Sequence, residues 1–331
     1  MQRVRNERGA VLVFVTLIIV LLLIMVGMGL DTGHLAYVRS QGQPAVDAAA
    51  LAAATAIPTS DPQKVIDRAA ALNPGGPNPA AGNNYLGSPT NQIGANNVTL
   101  AKYNNSTGAV ITSGVTIANA NAVRVALESA NGAPINSPLF LTPLLNLFGQ
   151  STSGTTDVSV SAVAAIKAVP GMPIAIDETV CWKTTEQTLD FNPLGNSGWT
   201  SYSSGANTPN ITDLFDGLPS CKGSPAVDVG FCTNLQNGTI GNLFNKDIPD
   251  LFKRNPGGCY LLPVVGPIAN LNFNQCSEIK DWAEFCPNPD VNVAVGHHEL
   301  KGTVTCGKSI YTSRASKCYY PFLVRDPNSG M

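Results

Sequence analysis

Eight cysteines carry the most evident chemistry in this chain, and all of them lie in its second half. They are Cys181, Cys221, Cys232, Cys259, Cys276, Cys286, Cys306 and Cys318. No C-x-x-C pair occurs among them, so their spacing indicates neither a zinc knuckle nor a thioredoxin-like redox site. An even number of cysteines in a segment outside the cytoplasm is typical of structural disulfides. We therefore predict a disulfide-rich region, and its pairing stays open at this stage.

The run His297-His298-Glu299 contains two of the three histidines. Neighbouring residues of a strand point to opposite faces, so both imidazoles cannot readily reach one ion, unlike the i, i+4 pair of a helical H-E-x-x-H motif. We predict a surface turn here.

The chain also lacks the G-x-S-x-G elbow of serine hydrolases and the G-x-x-x-x-G-K-[ST] loop of nucleotide-binding proteins. The sequence thus predicts no enzyme activity, no cofactor and no small-molecule substrate.

Four aromatic residues of the second half allow two interpretations. They are Trp182, Trp199, Tyr202 and Trp282. They could line a groove that binds a carbohydrate or a surface protein, or they could belong to a small hydrophobic core. The first interpretation gives an alternative function, that of an anchored extracytoplasmic adhesin or binding module.

The charge composition argues against a nucleic-acid partner. Only 13% of the 331 residues are charged, and the net charge is −2 at pH 7. Affinity for the phosphate backbone requires a concentration of lysine and arginine, which this chain does not have. A nucleic-acid role is therefore excluded.

An apolar segment near the N-terminus should position the rest of the molecule. The 21 residues Ala10–Leu30 carry no charge, and as a helix they span about 31 Å, the thickness of a bilayer core. The run is longer than the apolar part of a signal peptide and ends without a small-residue cleavage site. Arg3, Arg5 and Arg8 precede it. By the positive-inside rule, we expect a single-pass anchor in the bacterial cytoplasmic membrane, with the N-terminus inside and the body outside.

The chain after the anchor favours further helix but carries a helix breaker. The alanine-rich segment up to residue 56 has high helix propensity and few large apolar side chains with which to anchor a core. Pro44 should kink the helix or begin a new one, which gives a membrane helix to about Gln43 and a second helix beyond it. Asp31 and Asp47 are the candidate assembly contacts on this element; the alternative is that both are merely solvated or interfacial.

The rest of the sequence predicts an α+β fold. Ser60 or Asp61, followed by Pro62, is a helix start. Between residues 98 and 169, apolar residues alternate as in strands, which indicates an antiparallel sheet packed on a helix. The predicted divisions are a basic cytoplasmic tail (1–9), a transmembrane helix (10–30), an alanine-rich helical extension (31–57), an exported antiparallel β-rich domain (58–168) and a cysteine-rich C-terminal domain (169–331).

The N-terminal residues also carry a resemblance to a family. The residues concerned are Arg8-Gly9-Ala10, Gly29-Leu30-Asp31, Gly33, Arg39, Gln43, Ala45 and the run Asp47-Ala48-Ala49-Ala50-Leu51-Ala52. At this spacing they resemble the N-terminal segment of TadE/TadG-type Flp pilus-assembly proteins, and residues 95–168 are similar to the periplasmic part that often follows. The resemblance implies an accessory or minor-pilin-like component of a tight-adherence pilus-assembly or secretion system. Its partners would be the cytoplasmic membrane and other Tad/Flp proteins, and it implies no catalytic residue.

The same resemblance raises one metal-site hypothesis. TadG-type proteins often end in a von Willebrand A-like domain whose metal site uses D-x-S-x-S, and Asp157, Ser159 and Ser161 match this motif. Such a site needs oxygen ligands for a hard cation on a loop after a buried strand. Here polar residues precede the motif, and a period-two apolar pattern follows it. We predict a solvent-facing strand edge and no metal.

Overall fold

The structure is a computed structural model, and it describes most of the chain in separate ranges. These are residues 3–71, 93–131, 134–142, 146, 154–182, 186–192, 194–202, 206–218, 223–236, 240–267, 276–288, 299–311 and 318–327. The helices are α1 (Arg3–Ala54), α2 (Pro62–Ala70), α3 (Thr208–Asp216) and α4 (Ile248–Arg254), the last preceded by a π-helical segment, Leu243–Asp247.

Fifteen strands lie within the described ranges. They are β1 (Val98–Asn104), β2 (Ala109–Ile111), β3 (Ala122–Leu127), β4 (Ile135–Pro138), β5 (Thr155–Val158), β6 (Val160–Ala168), β7 (Ile174–Asp177), β8 (Glu186–Asp190), β9 (Ser197–Tyr202), β10 (Cys232–Gln236), β11 (Tyr260–Val265), β12 (Cys276–Glu278), β13 (Asp281–Pro287), β14 (Glu299–Cys306) and β15 (Tyr319–Val324).

Helix α1 is one uninterrupted helix of 52 residues, with Pro44 inside it. The prediction that a new helix begins at Pro44 is therefore wrong, because the helix continues through the proline; that Pro44 kinks the helix stays a prediction. A proline inside a helix costs about 3 kcal/mol relative to alanine. Here the ring lies on the exposed side of the helix, and residues on either side of it, from Val38 to Ala54, are buried against the body. That packing holds the backbone helical in spite of the proline.

The alanine-rich part of α1 forms the core of the first half of the molecule. Val38, Ala45, Ala49 and Ala53 recur at helical spacing, and each is at most 2% exposed. They pack against the inward face of a sheet that includes Val123, Val125, Ala162 and Ala164. Small side chains let the helix backbone approach the sheet closely, so the core forms without the large residues that the sequence lacks.

The sheet under α1 has five antiparallel strands in the order β15-β6-β3-β1-β2. Four of them come from the region where the alternation predicts strands. The fifth, β15, is the last strand of the described chain, and it pairs with β6 from Tyr319↔Ala168 to Val324↔Val163. The end of the chain thus returns to the first sheet after building the second.

The second sheet has eight strands in the order β12-β10-β9-β7-β11-β13-β14-β8. Its pairs are antiparallel except for β7 and β11, which are parallel. Stacked and edge-on rings of Phe191, Trp199 and Phe244 lie in its core with α3 and α4. The predicted α+β class, with a long N-terminal apolar helix, antiparallel sheets and a disulfide-rich C-terminal region, is confirmed.

Within the described residues, α1 is the one helix long and apolar enough to cross a membrane. Large apolar side chains from Val11 to Leu30 are exposed around it, with Leu12 at 70%. Of the two predicted caps of α2, Ser60 and Asp61, the structure has Asp61, whose side chain accepts a hydrogen bond from the Gln63 amide.

A small hairpin lies beside α1. Strands β4 and β5 pair from Ile135↔Val158 to Pro138↔Thr155, and the Leu139 amide extends the pairing by donating to the Gly154 carbonyl at 2.9 Å. Residues 139 and 154 therefore lie side by side where the described pairing ends, and we call residues 139–142, which continue β4, the hairpin tip.

Candidate functional site

The two carboxylates predicted as assembly contacts lie on the stretch of α1 that leaves the apolar span, and each has a partner in its own chain. Asp31 Oδ1 accepts a hydrogen bond from the Phe140 amide at 2.5 Å, and Oδ2 accepts one from the Leu141 amide at 3.1 Å. Asp31 thus fixes the tip of the β4–β5 hairpin to the helix. That these carboxylates contact a neighbouring subunit stays a prediction.

Asp47 lies about four turns further along the helix, at the edge of the first sheet. Its Oδ1 accepts a hydrogen bond from Gln43 Nε2 at 2.8 Å, and the same amide group donates to the Ser161 carbonyl at 2.9 Å. Pairing of β15 with β6 ends at Val163. Gln43, oriented by Asp47, therefore supplies a donor to a β6 carbonyl just beyond the last residue pair of β15 and β6.

Two adjoining depressions follow this stretch of the helix, and we call them together the helix groove. Their volumes are about 580 and 510 Å³, and both are lined by Arg39, Gln43 and Ser161. The β5–β6 connection forms one wall and the chain after β15 forms another. The rim carries charges of both signs, with Arg39 and Arg325 against acidic groups that include Asp157. A surface of this kind suits a polar protein partner more than an apolar ligand.

A buried ion cluster, which we call the Arg124 cluster, lies below the groove. The Arg124 guanidinium donates to both carboxylate oxygens of Glu128 at 2.9 Å, and its Nε donates to Asp326 Oδ2 at 2.8 Å. The Ser161 hydroxyl also donates to Asp326, at 2.6 Å. The side chains of Arg124 and Asp326 are 9% and 2% exposed. This cluster joins β3, β6 and the chain after β15.

The electrostatics of the cluster follow from these bonds. Hydrogen bonds from Arg124 lower the pKa of the Glu128 carboxyl, although burial opposes the shift. Hydrogen bonding to Glu128 and Asp326 raises the pKa of Arg124 against the opposing effect of burial. Arg124 and Glu128 are therefore ionised at neutral pH, and their bonds tie the segment after β15 to β3 and β6. Sequence reasoning missed it, although an arginine in the apolar strand A-V-R-V-A-L was a signal that could have found it.

Residues 9–56 match the model of a family described as "Putative Flp pilus-assembly TadE/G-like". The match covers α1 from residue 9 to its end at Ala54 and two residues beyond it, and we call residues 9–56 the Tad-like segment. It confirms the resemblance that the N-terminal residues carry. No curated protein and no solved structure gives a significant match to the chain. The Tad-like segment contains the apolar span, the Asp31 and Asp47 carboxylates and the alanines that form the core under the first sheet.

Asp157, Ser159 and Ser161 of the D-x-S-x-S motif line the helix groove beside the Tad-like segment. Asp157 and Ser159 are exposed, and the Ser129 hydroxyl donates to Asp157 at 2.9 Å. The prediction of a solvent-facing edge does not hold for Ser161, which is 7% exposed. Its hydroxyl points to the Arg124 cluster because β6 continues into the sheet at this residue.

Disulfides cross-link the second sheet. The pairs Cys181–Cys306, Cys232–Cys276 and Cys259–Cys286 are disulfides with Cα atoms 5.5, 5.4 and 4.2 Å apart. Cys318 is also disulfide-bonded, and Cys221 lies outside the described residues. Cys259, Glu284 and Cys286 bring three candidate metal ligands within 4.8 Å of one another. Two of these three atoms are the sulfurs of one disulfide, so this cluster is part of the disulfide framework.

The aromatic residues separate into core and surface. Trp199, Tyr202 and Trp282 are each at most 1% exposed, whereas Trp182 is 76% exposed. The three buried residues therefore belong to the core, and Trp182 is the one of the four that is available at the surface; the adhesin alternative stays a prediction. His297 and His298 lie outside the described residues.

A second cavity, of about 520 Å³, lies where the β1–β2 hairpin meets the second sheet. The Tyr311 hydroxyl donates to Asp228 at 2.5 Å. Burial, and then the bond to Asp228, raise the pKa of Tyr311. Tyr311 is thus a neutral hydrogen-bond donor at physiological pH, and its ring contacts Tyr103 and Phe322 of the first sheet edge-on.

Proposed function

We propose that this protein is a membrane-anchored accessory or minor-pilin-like component of a bacterial tight-adherence (Flp) pilus-assembly or secretion system, acting through protein–protein contacts and not as an enzyme. The observation that carries the proposal is the family match over residues 9–56. The matched helix is also the element around which the first sheet is packed. Any contact that the matched helix makes in the membrane is therefore transmitted directly to the sheet packed on the same helix.

The proposed orientation has the N-terminus in the cytoplasm and the body outside. Arg3, Arg5 and Arg8 precede the apolar span, which supports this orientation by the positive-inside rule. Disulfides in the second sheet support it independently, because they form in oxidising compartments. Protease added to spheroplasts should degrade the body while leaving cytoplasmic markers intact. Protection of the body until the membrane is permeabilised would contradict the orientation.

The helix groove is the surface that we propose for contact with another component of the machine. It lies on the exported side of the apolar span, within reach of proteins anchored in the same membrane. Its charges of both signs, including exposed Arg39 and Arg325, allow a partner to be selected by complementary charge. The buried cluster underneath keeps the groove walls in place.

Detergent extraction and co-purification from the native host test the proposal. The tagged full-length chain should recover other pilus-assembly proteins. Arg39→Glu in the groove should reduce that recovery at least about fivefold, the effect of losing roughly 1 kcal/mol of binding free energy, whereas Lys64→Glu on the exposed side of α2 should leave it unchanged. Recovery of no pilus-assembly protein, together with intact pili in a deletion strain, would count decisively against the proposed function.

A further inference from the structure

The tip of the β4–β5 hairpin lies against the end of the apolar span. Asp31 accepts hydrogen bonds from the Phe140 and Leu141 amides. The Phe140 ring meets the His34 ring edge-on, with centroids 5.3 Å apart. A Cβ placed on Gly27 would stand 2.7 Å from Leu141 Cδ1. Three consecutive turns of α1 thus contact two residues of the hairpin tip.

The direction of β4 along the helix follows from two close approaches. Ile135 lies over Gly42, where an added Cβ would stand 2.6 Å from Ile135 Cδ1, and Leu141 lies over Gly27. The two glycines are about 22 Å apart on an α-helix. The six steps from Ile135 to Leu141 span about 20 Å when extended. The chain therefore runs straight along α1 towards the membrane-spanning part.

The end point of this path lies inside the apolar span. Gly27 precedes Leu30, the last residue of the uncharged run, by three positions, or about 4.5 Å of helix. Residues 139–142 carry no charged side chain, and Phe140 is 57% exposed. A backbone amide without a partner is costly in an apolar surrounding. The Asp31 carboxylate accepts hydrogen bonds from both amides at the membrane depth where water is no longer available as a partner.

We propose that Phe140 and Leu141 form a second membrane contact, in which they enter the acyl-chain boundary of the outer leaflet beside the transmembrane helix while Asp31 holds them there. The occupant of this surface is the lipid bilayer, because the surface is continuous with the exposed apolar face of α1. The inference rests on the membrane anchoring of the proposed function. It gives Asp31 the role of a positioning residue within one chain.

Tryptophan quenching by lipid tests this contact. Full-length Phe140→Trp protein is placed in nanodiscs whose lipids are brominated near the top of the acyl chains. Its added fluorescence should be quenched at least twofold relative to unbrominated discs. The matched control is Leu194→Trp, at a surface position that is 85% exposed in the second sheet region, and its fluorescence should not change. Equal quenching at the two positions, or none at either, would overturn the inference.

The positioning role of the Asp31 carboxylate is tested in the Phe140→Trp variant. Adding Asp31→Ala should remove most of the quenching, whereas Asp67→Ala on exposed α2 should leave it as it was. Unchanged quenching in the Asp31→Ala variant would overturn the role of the carboxylate. Alkaline carbonate extraction separates the two proposals. Release of the wild-type protein from membranes would contradict the anchoring itself, whereas retention together with unquenched fluorescence of the Phe140→Trp variant would contradict the second contact alone.

Discussion

Removing the Asp326 carboxylate should detach the last strand from the first sheet. Asp326 is 5% exposed as a residue, and its Oδ2 accepts hydrogen bonds from Arg124 Nε and the Ser161 hydroxyl. Asp326→Ala therefore leaves a buried hydroxyl and one guanidinium N–H without acceptors. Glu128 still holds the other two guanidinium nitrogens, so Arg124 keeps part of its compensation.

The loss can be estimated from these two bonds. A buried ion pair that loses one partner costs about 3–5 kcal/mol, and a hydrogen bond to a charged group contributes about 1.5–3 kcal/mol. Because Glu128 remains, we expect about 3 kcal/mol, at the lower end of the first range. At about 1.36 kcal/mol per tenfold change, this is about a 100-fold rise in the population of the locally opened state.

Native-state hydrogen exchange measures this opening directly, and a single unfolding free energy is poorly defined for a multi-sheet, disulfide-bonded membrane protein. In Asp326→Ala, amides of β15 should exchange about 100-fold faster, while those of β13 and β14 should not change. Asp326→Asn keeps an acceptor oxygen and should give a smaller effect. The exposed control Asp157→Ala should change exchange less than about threefold. A change below about threefold in β15 for Asp326→Ala would refute the reasoning.

Three further predictions concern the same half of the molecule. Because the pKa of Glu128 is lowered in the folded state, its contribution is present above the ordinary glutamate pKa of about 4.3 and is lost as the pH falls below that value; the thermal midpoint of Glu128→Gln should therefore depend less on acid than that of wild type. Gly42→Leu should destabilise by about 1–3 kcal/mol through overpacking against Ile135, whereas Gly33→Leu, with open space at its Cβ, should not lower the thermal midpoint. Pro44→Ala should raise the thermal midpoint, because alanine is about 3 kcal/mol more favourable than proline inside a helix, and a lower midpoint by circular dichroism would contradict it.

Local signals were sufficient for much of this fold. The apolar span, the cap of α2 and the strands between residues 98 and 169 each depend on neighbours a few positions apart, and the structure contains them. The wrong prediction at Pro44 has a different cause. A proline in the interior of a helix is costly whatever its neighbours in sequence, and here the burial of residues on both sides of it overrides that cost. That burial depends on a sheet formed by strands far along the chain, from Val98 onward.

The candidate site was less predictable because its contacts join distant parts of the chain. Arg124 and Asp326 are 202 positions apart, and Asp31 is 109 positions from Phe140. Asp31 was singled out from sequence as a polar point on the anchor, but its partner is a backbone segment that no motif marks. The return of β15 to the first sheet likewise depends on long-range pairing and carries no local signal.

The continuity of α1 gives these contacts a common consequence. The helix is 52 residues long, or about 78 Å, and it passes without a break from the apolar span into the core of the first sheet. Gly42 and Gly27 receive side chains of the same hairpin, and Asp31 binds its tip, so rotation of the body about the helix axis is blocked at three levels. A partner that binds the apolar span therefore sets the direction of the two sheets as well. A flexible linker would not allow this, and we infer that the absence of one at residues 31–57 is what lets a membrane contact orient the body.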